Sequence, residues 1–479
     1  MSGPREPDGR DREELEREQE RLRREKAALE RENARLRAEQ ELLKAEIDRL
    51  KKELQAALRR GQRRAAPYSR DKRRANPKRP GRKAGQGKWK RRQPPSDSDV
   101  TRPIVQVPVT ETCCPACGGA LEWDATQEAS VTDLPPSPGP EVTVYQIEVR
   151  RCARCGRRVR GQHPDVAPDQ QGATAHRVGL GVKAAAHALH YGVGVPVRQV
   201  PRVLQELTGV RITQGALTQD ALKRSRGQVG AAYEQLRASV RQAGTVYTDD
   251  TGWRQGGVPA QLMVFDTDQA TVYQIRPQHR NEEVRELVPS DYRGTLVADR
   301  GMSYDAEELS KVPQQKCFSH LLRNVAEVVE SKSGRARIFG LRLDELLHAA
   351  LALGKQRDSQ IFTLRVAELD EKLTWHLRER ALKDSDNQRL LDGIGFQHDN
   401  GRLLRFLYHP GVEPTNNRSE RMLRPAVIAR KVSQCSKNDA GAYAFAAFVS
   451  VARTALKNGS SSLTGFFHRL LTATAELPP

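Results

Sequence analysis

The stretch Val246-Tyr247-Thr248-Asp249-Asp250-Thr251-Gly252-Trp253-Arg254 predicts the fold of the C-terminal half of the chain. It begins as an apolar run that ends at a carboxylate, and the run Thr295-Leu296-Val297-Ala298-Asp299 ends in the same way. Residues of this kind favour β-strands. We expect the two runs to be neighbouring strands of one sheet, with Asp249 and Asp299 side by side.

Further periodic segments predict an α/β domain over residues 244–460, with a ribonuclease-H-like sheet. The predicted strands are 244–249, 260–267, 270–276 and 294–299, of which the first three suit a meander. A helix near 303–311 and a short strand near Lys316 should follow. Apolar residues at helical spacing predict a helical insertion at about 335–385 and a closing helix at 438–458. Residues 461–479 are expected to be a C-terminal tail.

A third acid stands in Pro414-Thr415-Asn416-Asn417-Arg418-Ser419-Glu420-Arg421, a basic segment that begins a helix. Two strand-end carboxylates and the helix-borne Glu420 are ligands of the kind that Mg²⁺ prefers. A pair of such ions supports in-line displacement at phosphorus. Since the chain has 60 acids and most acids are solvated surface residues, the three alone prove little.

The N-terminal segment 11–58 has leucines at seven-residue steps. They are Leu15, Leu22, Leu29, Leu36, Leu43 and Leu50. This repeat predicts a leucine-zipper coiled coil and hence a homodimer or higher oligomer. A solvated single helix is the alternative interpretation.

Residues 59–100 are rich in Arg, Lys, Pro and Gly and predict a disordered basic tether. Between Arg59 and Arg92 there are sixteen Lys or Arg and one acid, within a chain of 479 residues and net charge +20. Such a segment binds phosphates independently of sequence. The tether residues expected to contact DNA are Arg73, Arg74, Lys78, Arg79, Arg82 and Lys83.

Two Cys-x-x-Cys pairs predict a four-cysteine zinc-binding module at 101–165. The expected ligands of one structural Zn²⁺ are Cys114, Cys117, Cys152 and Cys155. The strand-like run 142–149 should lead into the second pair. A redox pair and an eroded site are the alternatives, and Cys113 stands beside Cys114 as a possible substitute ligand.

Residues 170–240 predict a compact helical segment, in which Thr213 is a plausible helix cap. Two interpretations of this segment stay open: a helix-turn-helix-like contact with DNA, and a helical module that serves only for packing. No apolar run approaches the ~20 residues of a membrane span, and the polar N-terminus is unlike a secretory signal. We therefore expect a cytoplasmic, nucleoid-associated protein without membrane contacts.

The chain resembles the transposases of insertion-sequence family sixty-six, the TnpC-type DDE transposases, over nearly its whole length. The zipper, the tether, the Cys-Pro-x-Cys-Gly-Gly pair and the helical segment contribute to this resemblance. Its densest part comprises 248–254, 297–299 and 414–421, continued by Arg424-Pro425 and Arg430-Lys431.

The resemblance implies that Asp249, Asp299 and Glu420 are the catalytic triad and bind two Mg²⁺ or Mn²⁺ ions. The family usually has Asp-Glu-Thr-Gly where this chain has Asp250 in the second position, and the role of Asp250 is open. Residues implied to contact DNA near the cleaved bond are Arg254, Arg418, Arg421, Arg424, Arg430 and Lys431.

Four further residues are weaker candidates. His320 ends a block that resembles the family's Cys-Trp-x-His, and packing or substrate positioning is favoured over metal binding. Asn416 and Asn417 are expected to cap the Glu420 helix or to contact DNA. Trp253 is expected in the core, with stacking on a DNA base as the alternative.

The implied function is cleavage at terminal inverted repeats followed by strand transfer into target DNA. Small accessory proteins of the same element are possible partners. A non-catalytic zinc and zipper DNA-binding regulator is one alternative, and a ribonuclease-H-like nuclease without strand transfer is another.

Overall fold

The computed structural model describes residues 9–61, 104–126, 139–163 and 178–472. It divides into two compact units, Met1–Lys90 and Arg91–Pro479. Beyond residue 61, the predicted basic tether and its six DNA-contact residues lie outside the described part of the chain.

The described part of the first unit is one helix, α1 (Gly9–Gly61), which spans the predicted zipper. The heptad leucines from Leu22 to Leu50 are each 51–59% exposed. Ion pairs one turn apart, such as Lys44 with Glu41 at 2.8 Å, support the helix locally. The helix is present with its leucine row uncovered, and pairing with a second copy stays a prediction.

In the second unit, a hairpin of β1 (Val149–Arg151) and β2 (Arg158–Arg160) flanks the second cysteine pair. The strand predicted at 142–149 is wrong except for its last residue. Val142 and Val144 alternate as a strand would but are 81% exposed, so their pattern has no core to bury against.

The predicted helical segment contains four helices. They are α2 (Leu180–His187), which continues as a π-helix over Ala188–Val193, α3 (Val200–Thr208), α4 (Gln214–Ser225) and α5 (Gln228–Gln242). The predicted cap is confirmed, because the Thr213 hydroxyl accepts the backbone N–H of Ala216 at 3.2 Å.

A mixed five-stranded sheet forms the centre of the second unit. Its strands are β3 (Thr245–Gln255), β4 (Val258–Asp266), β5 (Thr271–Arg276), β6 (Thr295–Ala298) and β7 (Gln314–Lys316). Their order is β5-β4-β3-β6-β7, antiparallel across the first three and parallel from β3 to β6 to β7. The predicted meander, and the adjacency of the first and fourth predicted strands, are confirmed.

Helices cover this sheet. They are α6 (Asn281–Arg285), α7 (Phe318–Ser331), α8 (Gly334–Leu353), α9 (Phe362–Leu377), α10 (Ser385–Asp399), α11 (Arg405–Tyr408), α12 (Asn417–Ser433), α13 (Asp439–Lys457) and α14 (Leu463–Thr472). Two short 3-10 turns, Met302–Tyr304 and Glu307–Leu309, replace the helix expected near 303–311.

Two hydrophobic cores meet at the sheet. One joins the sheet to α5, α12, α13 and α14. The other joins Tyr247 and Val297 to helices α7 to α11, so the helical insertion shares a core with β3 and β6.

The prediction of a plain tail at 461–479 is wrong for its first part, where α14 forms. Phe467, Leu470 and Leu471 are buried, because their helical spacing gives α14 an apolar face that packs with α2. None of the helices in the described part of the chain has the length and hydrophobicity needed to cross a membrane.

Candidate active site

The register of two parallel strands places the two aspartates side by side. On β3 and β6, Tyr247 pairs with Val297. Two residues beyond that pair lie Asp249, on β3, and Asp299, directly after the end of β6. Residues two apart on a strand point to the same face of a sheet, so the Asp249 carboxylate belongs to the face that carries Tyr247.

Helix α12 crosses this face and carries the third acid in its first turn. The Arg418 guanidinium lies over the Tyr247 ring, 4.7 Å from its centroid, and Arg430 Nη1 donates to Thr251 Oγ1 at 3.0 Å. Asp249 stands between Tyr247 and Thr251 on the same face. Helix α12 therefore covers Asp249 and holds Glu420 on the same side of the sheet.

The neighbouring carboxylates interact electrostatically with Asp249. Burial, together with the negative charges of Asp250, Asp299 and Glu420, raises the pKa of Asp249 to about 7, against a backbone N–H from Asp250 that lowers it. That N–H donates to Asp249 Oδ1 at 3.0 Å. Asp249 is therefore poorly solvated and lies within electrostatic reach of three other acids, so ionising it costs free energy.

The donor chemistry of the triad suits a hard divalent cation, because carboxylate oxygens are the ligands that Mg²⁺ takes. A cation would also remove the repulsion that raises the pKa of Asp249. Yet among the described residues, no group of three or more His, Cys, Asp or Glu is arranged to hold a metal ion. Metal binding by the three acids therefore stays a prediction.

The start of α12 is fastened to β3 by a buried amide. Asn416 is fully buried, its Nδ2 donates to the Thr248 carbonyl at 3.3 Å, and its backbone N–H donates to Cys317 Sγ at 3.3 Å. Its side chain makes no cap hydrogen bond, so the predicted capping role is wrong, and burial keeps it from DNA. Asn417 is exposed and accepts from Ser319 Oγ at 3.4 Å.

The structure gives Arg418 an internal role in place of the predicted phosphate contact. Its guanidinium pairs with Asp266 at 3.3 Å and Asp268 at 2.6 Å, and it donates to the Thr267 carbonyl at 2.9 Å. Asp266 is 1% exposed and also pairs with Lys457. Arg418 thus neutralises a buried carboxylate and anchors α12.

The other predicted DNA-contact residues divide by exposure. Arg430 donates to Thr251 and to the Gly252 carbonyl, and Arg254 is half-buried on β3. Both therefore lie largely within the fold. Three are exposed along α12, and these are Arg421, Arg424 and Lys431.

Trp253 packs in the core, as expected. It is 3% exposed, its Nε1 donates to Ser436 Oγ at 3.2 Å, and its ring lies 5.1 Å from that of Phe445. The alternative, stacking on a DNA base, is wrong for this arrangement. His320 lies in the first turn of α7, and its Nδ1 is buried without a hydrogen-bond partner among the described residues.

Asp250 acquires a partner that the sequence did not reveal. His279 Nδ1 lies 3.1 Å from Asp250 Oδ1. Burial lowers the pKa of His279, but the hydrogen bond and the charge of Asp250 outweigh burial and raise it. His279 follows β5 in a loop that matches no motif, so only the paired strands β3, β4 and β5 bring it to Asp250.

A buried charge network behind Asp299 was also missed. Lys316 Nζ lies 2.8 Å from Asp305 Oδ1, and Arg402 Nη1 lies 2.9 Å from the same oxygen. Lys316 is 0% exposed, although it ends an edge strand. A lysine within an otherwise buried strand indicates a buried ion pair, but the sequence pattern alone does not identify the acid with which it pairs.

Each of the two Cys-x-x-Cys pairs predicted to bind zinc forms a tight local turn. Gly118 and Gly156 have φ values of 74° and 71°, in the left-handed region that glycine adopts without strain. Their N–H groups donate to the carbonyls of Cys114 and Cys152 at 2.8 and 2.9 Å. Backbone N–H groups within the turns lower the pKa of both thiols, which favours the thiolate form that zinc requires.

The two cysteine turns do not form one common metal site in the described part of the chain. All seven cysteines are free, and the four predicted ligands do not form a metal-binding group in the described part of the chain. Their donor set suits zinc, so zinc binding stays a prediction.

A family comparison covers the region that contains the sheet and the three acids. The model of the family described as "Transposase IS66 family" matches residues 176–444, more than half of the chain. The match covers the sheet, the helical insertion and the start of α13. Among curated protein sequences, none matches this chain.

The fold and the family match define a transposase, an enzyme class that processes DNA. The chain belongs to the IS66 family of transposases.

Proposed function

We propose that the chain is a DDE transposase that cuts DNA at transposon ends and joins the freed 3′-OH to target DNA. The observation that supports this most directly is that Asp249 lies on β3 and Asp299 directly follows the adjacent parallel strand β6, with both Asp299 and Glu420 of α12 acting electrostatically on Asp249. The strand order β5-β4-β3-β6-β7 is that of a ribonuclease-H-like sheet, which supports the same proposal.

In this proposal, Asp249, Asp299 and Glu420 hold two Mg²⁺ or Mn²⁺ ions. When bound, such ions activate the attacking oxygen and stabilise the leaving oxygen. The chain's own residues set the geometry. Asn416 fixes the start of α12 against β3, and Arg418 holds the first turn of α12 at Tyr247 and Asp266.

DNA contacts near the site fall to the exposed cations of α12. Arg421, Arg424 and Lys431 lie on one side of the helix, since they are three and seven residues apart. Arginine suits this task because its planar fork matches phosphate oxygens. The basic tether would add sequence-independent affinity.

The N-terminal elements complete the proposal. The uncovered leucine row of α1 would pair two copies and so bring two transposon ends together. The two cysteine turns would share one structural Zn²⁺. Accessory proteins of the same element are further proposed partners.

The test is Mg²⁺-dependent strand transfer with terminal-repeat DNA, comparing the wild type with Glu420→Gln. The matched control is Glu371→Gln, an exposed glutamate of α9. Joined product that disappears only in Glu420→Gln, with DNA binding retained in both variants, is the expected result.

Two results would overturn the proposal. Cleavage without joined product would make the chain a ribonuclease-H-like nuclease. Normal DNA binding without chemistry, even after the accessory proteins of the element are added, would make it a regulator.

A further inference from the structure

Three arginines cluster at one end of the helical insertion, away from the catalytic acids. Arg342 lies on α8, and Arg378 and Arg380 directly follow α9. They surround His376, which is 4% exposed. Burial lowers the pKa of His376, and the charges of Arg380, Arg342 and Arg378 lower it further. We call these three residues the arginine cluster.

Within the described ranges, no carboxylate forms an ion pair with any of the three guanidinium groups of the arginine cluster. Glu379, which lies between Arg378 and Arg380, is exposed, and the acids that follow, Asp384 and Asp386, pair with Lys332 at 2.7 and 2.6 Å. Burial and the charge of Arg378 lower the pKa of Arg380. The guanidinium groups therefore repel one another, and a bound polyanion would relieve this repulsion.

Two aromatic rings fix the cluster. Arg378 Cζ lies 4.1 Å from the centroid of the Trp375 ring, and Arg380 Cζ lies 5.7 Å from that of Phe339. Phe339 in turn stacks on His376, with ring centroids 4.7 Å apart. Stacking of this kind orients guanidinium groups. Trp375 is 58% exposed, so the surface also presents an aromatic ring to solvent.

The position of the cluster indicates which anion it meets. Helix α7 begins beside the catalytic centre, where Cys317 accepts from Asn416. Its 14 residues extend about 20 Å. At the far end of α7, Val329 packs against Gly340 of α8. The contact is so close that a Cβ added to Gly340 would lie 2.6 Å from Val329 Cγ2. Arg342 is two residues further on.

A DNA duplex that has one end in the catalytic centre spans this distance in about six base pairs. Surface cations that no described carboxylate neutralises, beside an exposed aromatic ring, are complementary to such a duplex.

We propose that the arginine cluster and Trp375 form a second DNA-binding surface, which takes the backbone of the transposon-end duplex about six base pairs from the cleaved bond. This proposal rests on the proposed function for the identity of the duplex. It requires only DNA binding, and no chemistry, from the surface itself.

The experiment measures binding by the full chain without Mg²⁺, using a terminal-repeat duplex and a random duplex of equal length. The test variant is Arg342→Glu with Arg378→Glu. The matched control is Arg365→Glu with Lys372→Glu, which makes the same charge change at exposed positions of α9 outside the cluster. Dissociation constants are measured over a range of salt concentrations, and hydroxyl-radical footprints are recorded.

We expect the test variant to bind the terminal-repeat duplex about tenfold more weakly, with a salt dependence reduced by about two phosphate contacts. Its footprint should lose protection about six base pairs from the cleaved bond, and the control should match the wild type.

Three outcomes would overturn the proposal: unchanged binding by the test variant, equal weakening in the control, or a loss confined to the random duplex. Binding is measured without chemistry. A wild type that fails to join strands would therefore disprove the proposed function, whereas the comparison of DNA binding between the test and control variants could still be interpreted.

Discussion

The cysteine turns and the carboxylate centre are both candidate metal sites, but they are built in opposite ways. Each cysteine turn is closed within six residues by its own backbone hydrogen bonds, such as Cys114 N–H to the Gly119 carbonyl at 2.9 Å. In the carboxylate centre, local backbone N–H groups orient single side chains, such as Gly301 N–H to Asp299 Oδ1 at 2.9 Å, but they do not join the acids to one another. The pairing of β3 with β6 and the anchoring of α12 by Asn416 bring its acids together.

The difference teaches what an ion would contribute at each site. The cysteine turns are exposed and have no core to join them, so zinc would organise the fold around them. The carboxylates are already placed by the sheet, at the cost of mutual repulsion. At that site an ion would relieve the repulsion between acids that contacts of the sheet and α12 place near one another.

The largest expected effect is at the cysteine turns. Cys114→Ser should reduce zinc from about one ion per chain to none, because structural zinc sites need all four ligands. Metal content of the purified protein measures this. Cys113→Ser, the adjacent exposed thiol, should keep its zinc. If the Cys114 variant retained zinc, or if both variants lost it equally, the assignment of Cys114 rather than Cys113 as a zinc ligand would be contradicted.

At the carboxylate centre, removing one charge should remove chemistry and leave the fold intact. Asp299→Asn should slow strand joining about 10³-fold or more, since metal ligation contributes several kcal/mol of transition-state stabilisation. Single-turnover joining assays measure the rate. Asp291→Asn, at an exposed position, is the control. A rate for Asp299→Asn within a few-fold of the control would exclude Asp299 from the triad.

Much of the fold could be predicted from local patterns. The strands β3 to β7, the helix α1 and the Thr213 cap follow from periodicity and capping chemistry that act over a few residues. The adjacency of Asp249 and Asp299 was also predictable, because both end apolar runs in a parallel pair of strands.

The rest depends on contacts between distant segments. Arg418 stands in a basic motif, and nothing nearby shows that it pairs with Asp266 across the fold. His279 reaches Asp250 only through the β3-β4-β5 meander. The run 142–149 failed for the opposite reason: its alternation is correct, but within the described part of the chain no segment buries it.

Arg418 offers a sharper test of which side chains hold the carboxylate centre in place. Arg418→Ala should lower the free energy of unfolding by about 2–4 kcal/mol, because it leaves the buried Asp266 with Lys457 as its remaining cation. Arg421→Ala, its exposed neighbour, should change stability by less than about 0.5 kcal/mol and weaken DNA binding instead. Denaturant unfolding and DNA titration of both variants measure the contrast. Equal stability losses would show that the ion pair with Asp266 contributes nothing particular.

The smallest effect tests the repulsion directly. Because burial and neighbouring charges raise the pKa of Asp249 to about 7, the folded state holds this proton more tightly than the unfolded chain does. Between about pH 4 and pH 7 the group ionises more readily in the unfolded chain, so its contribution to stability falls as pH rises through that window.

Asp249→Asn removes the charge and should therefore raise the stability of the metal-free protein at pH 8 by about 1–3 kcal/mol, with little change near pH 4. Thermal unfolding without added Mg²⁺ from pH 5 to pH 8.5 measures the difference. Saturating Mg²⁺ should reverse its sign, because the wild type alone keeps the full ligand set. The cysteine turns provide the contrast, since Cys114→Ser should lower the stability of its module at every pH in this range. A wild type more stable than Asp249→Asn at pH 8 without Mg²⁺ would mean that the carboxylates are solvated, and that the centre stores no repulsion for an ion to relieve.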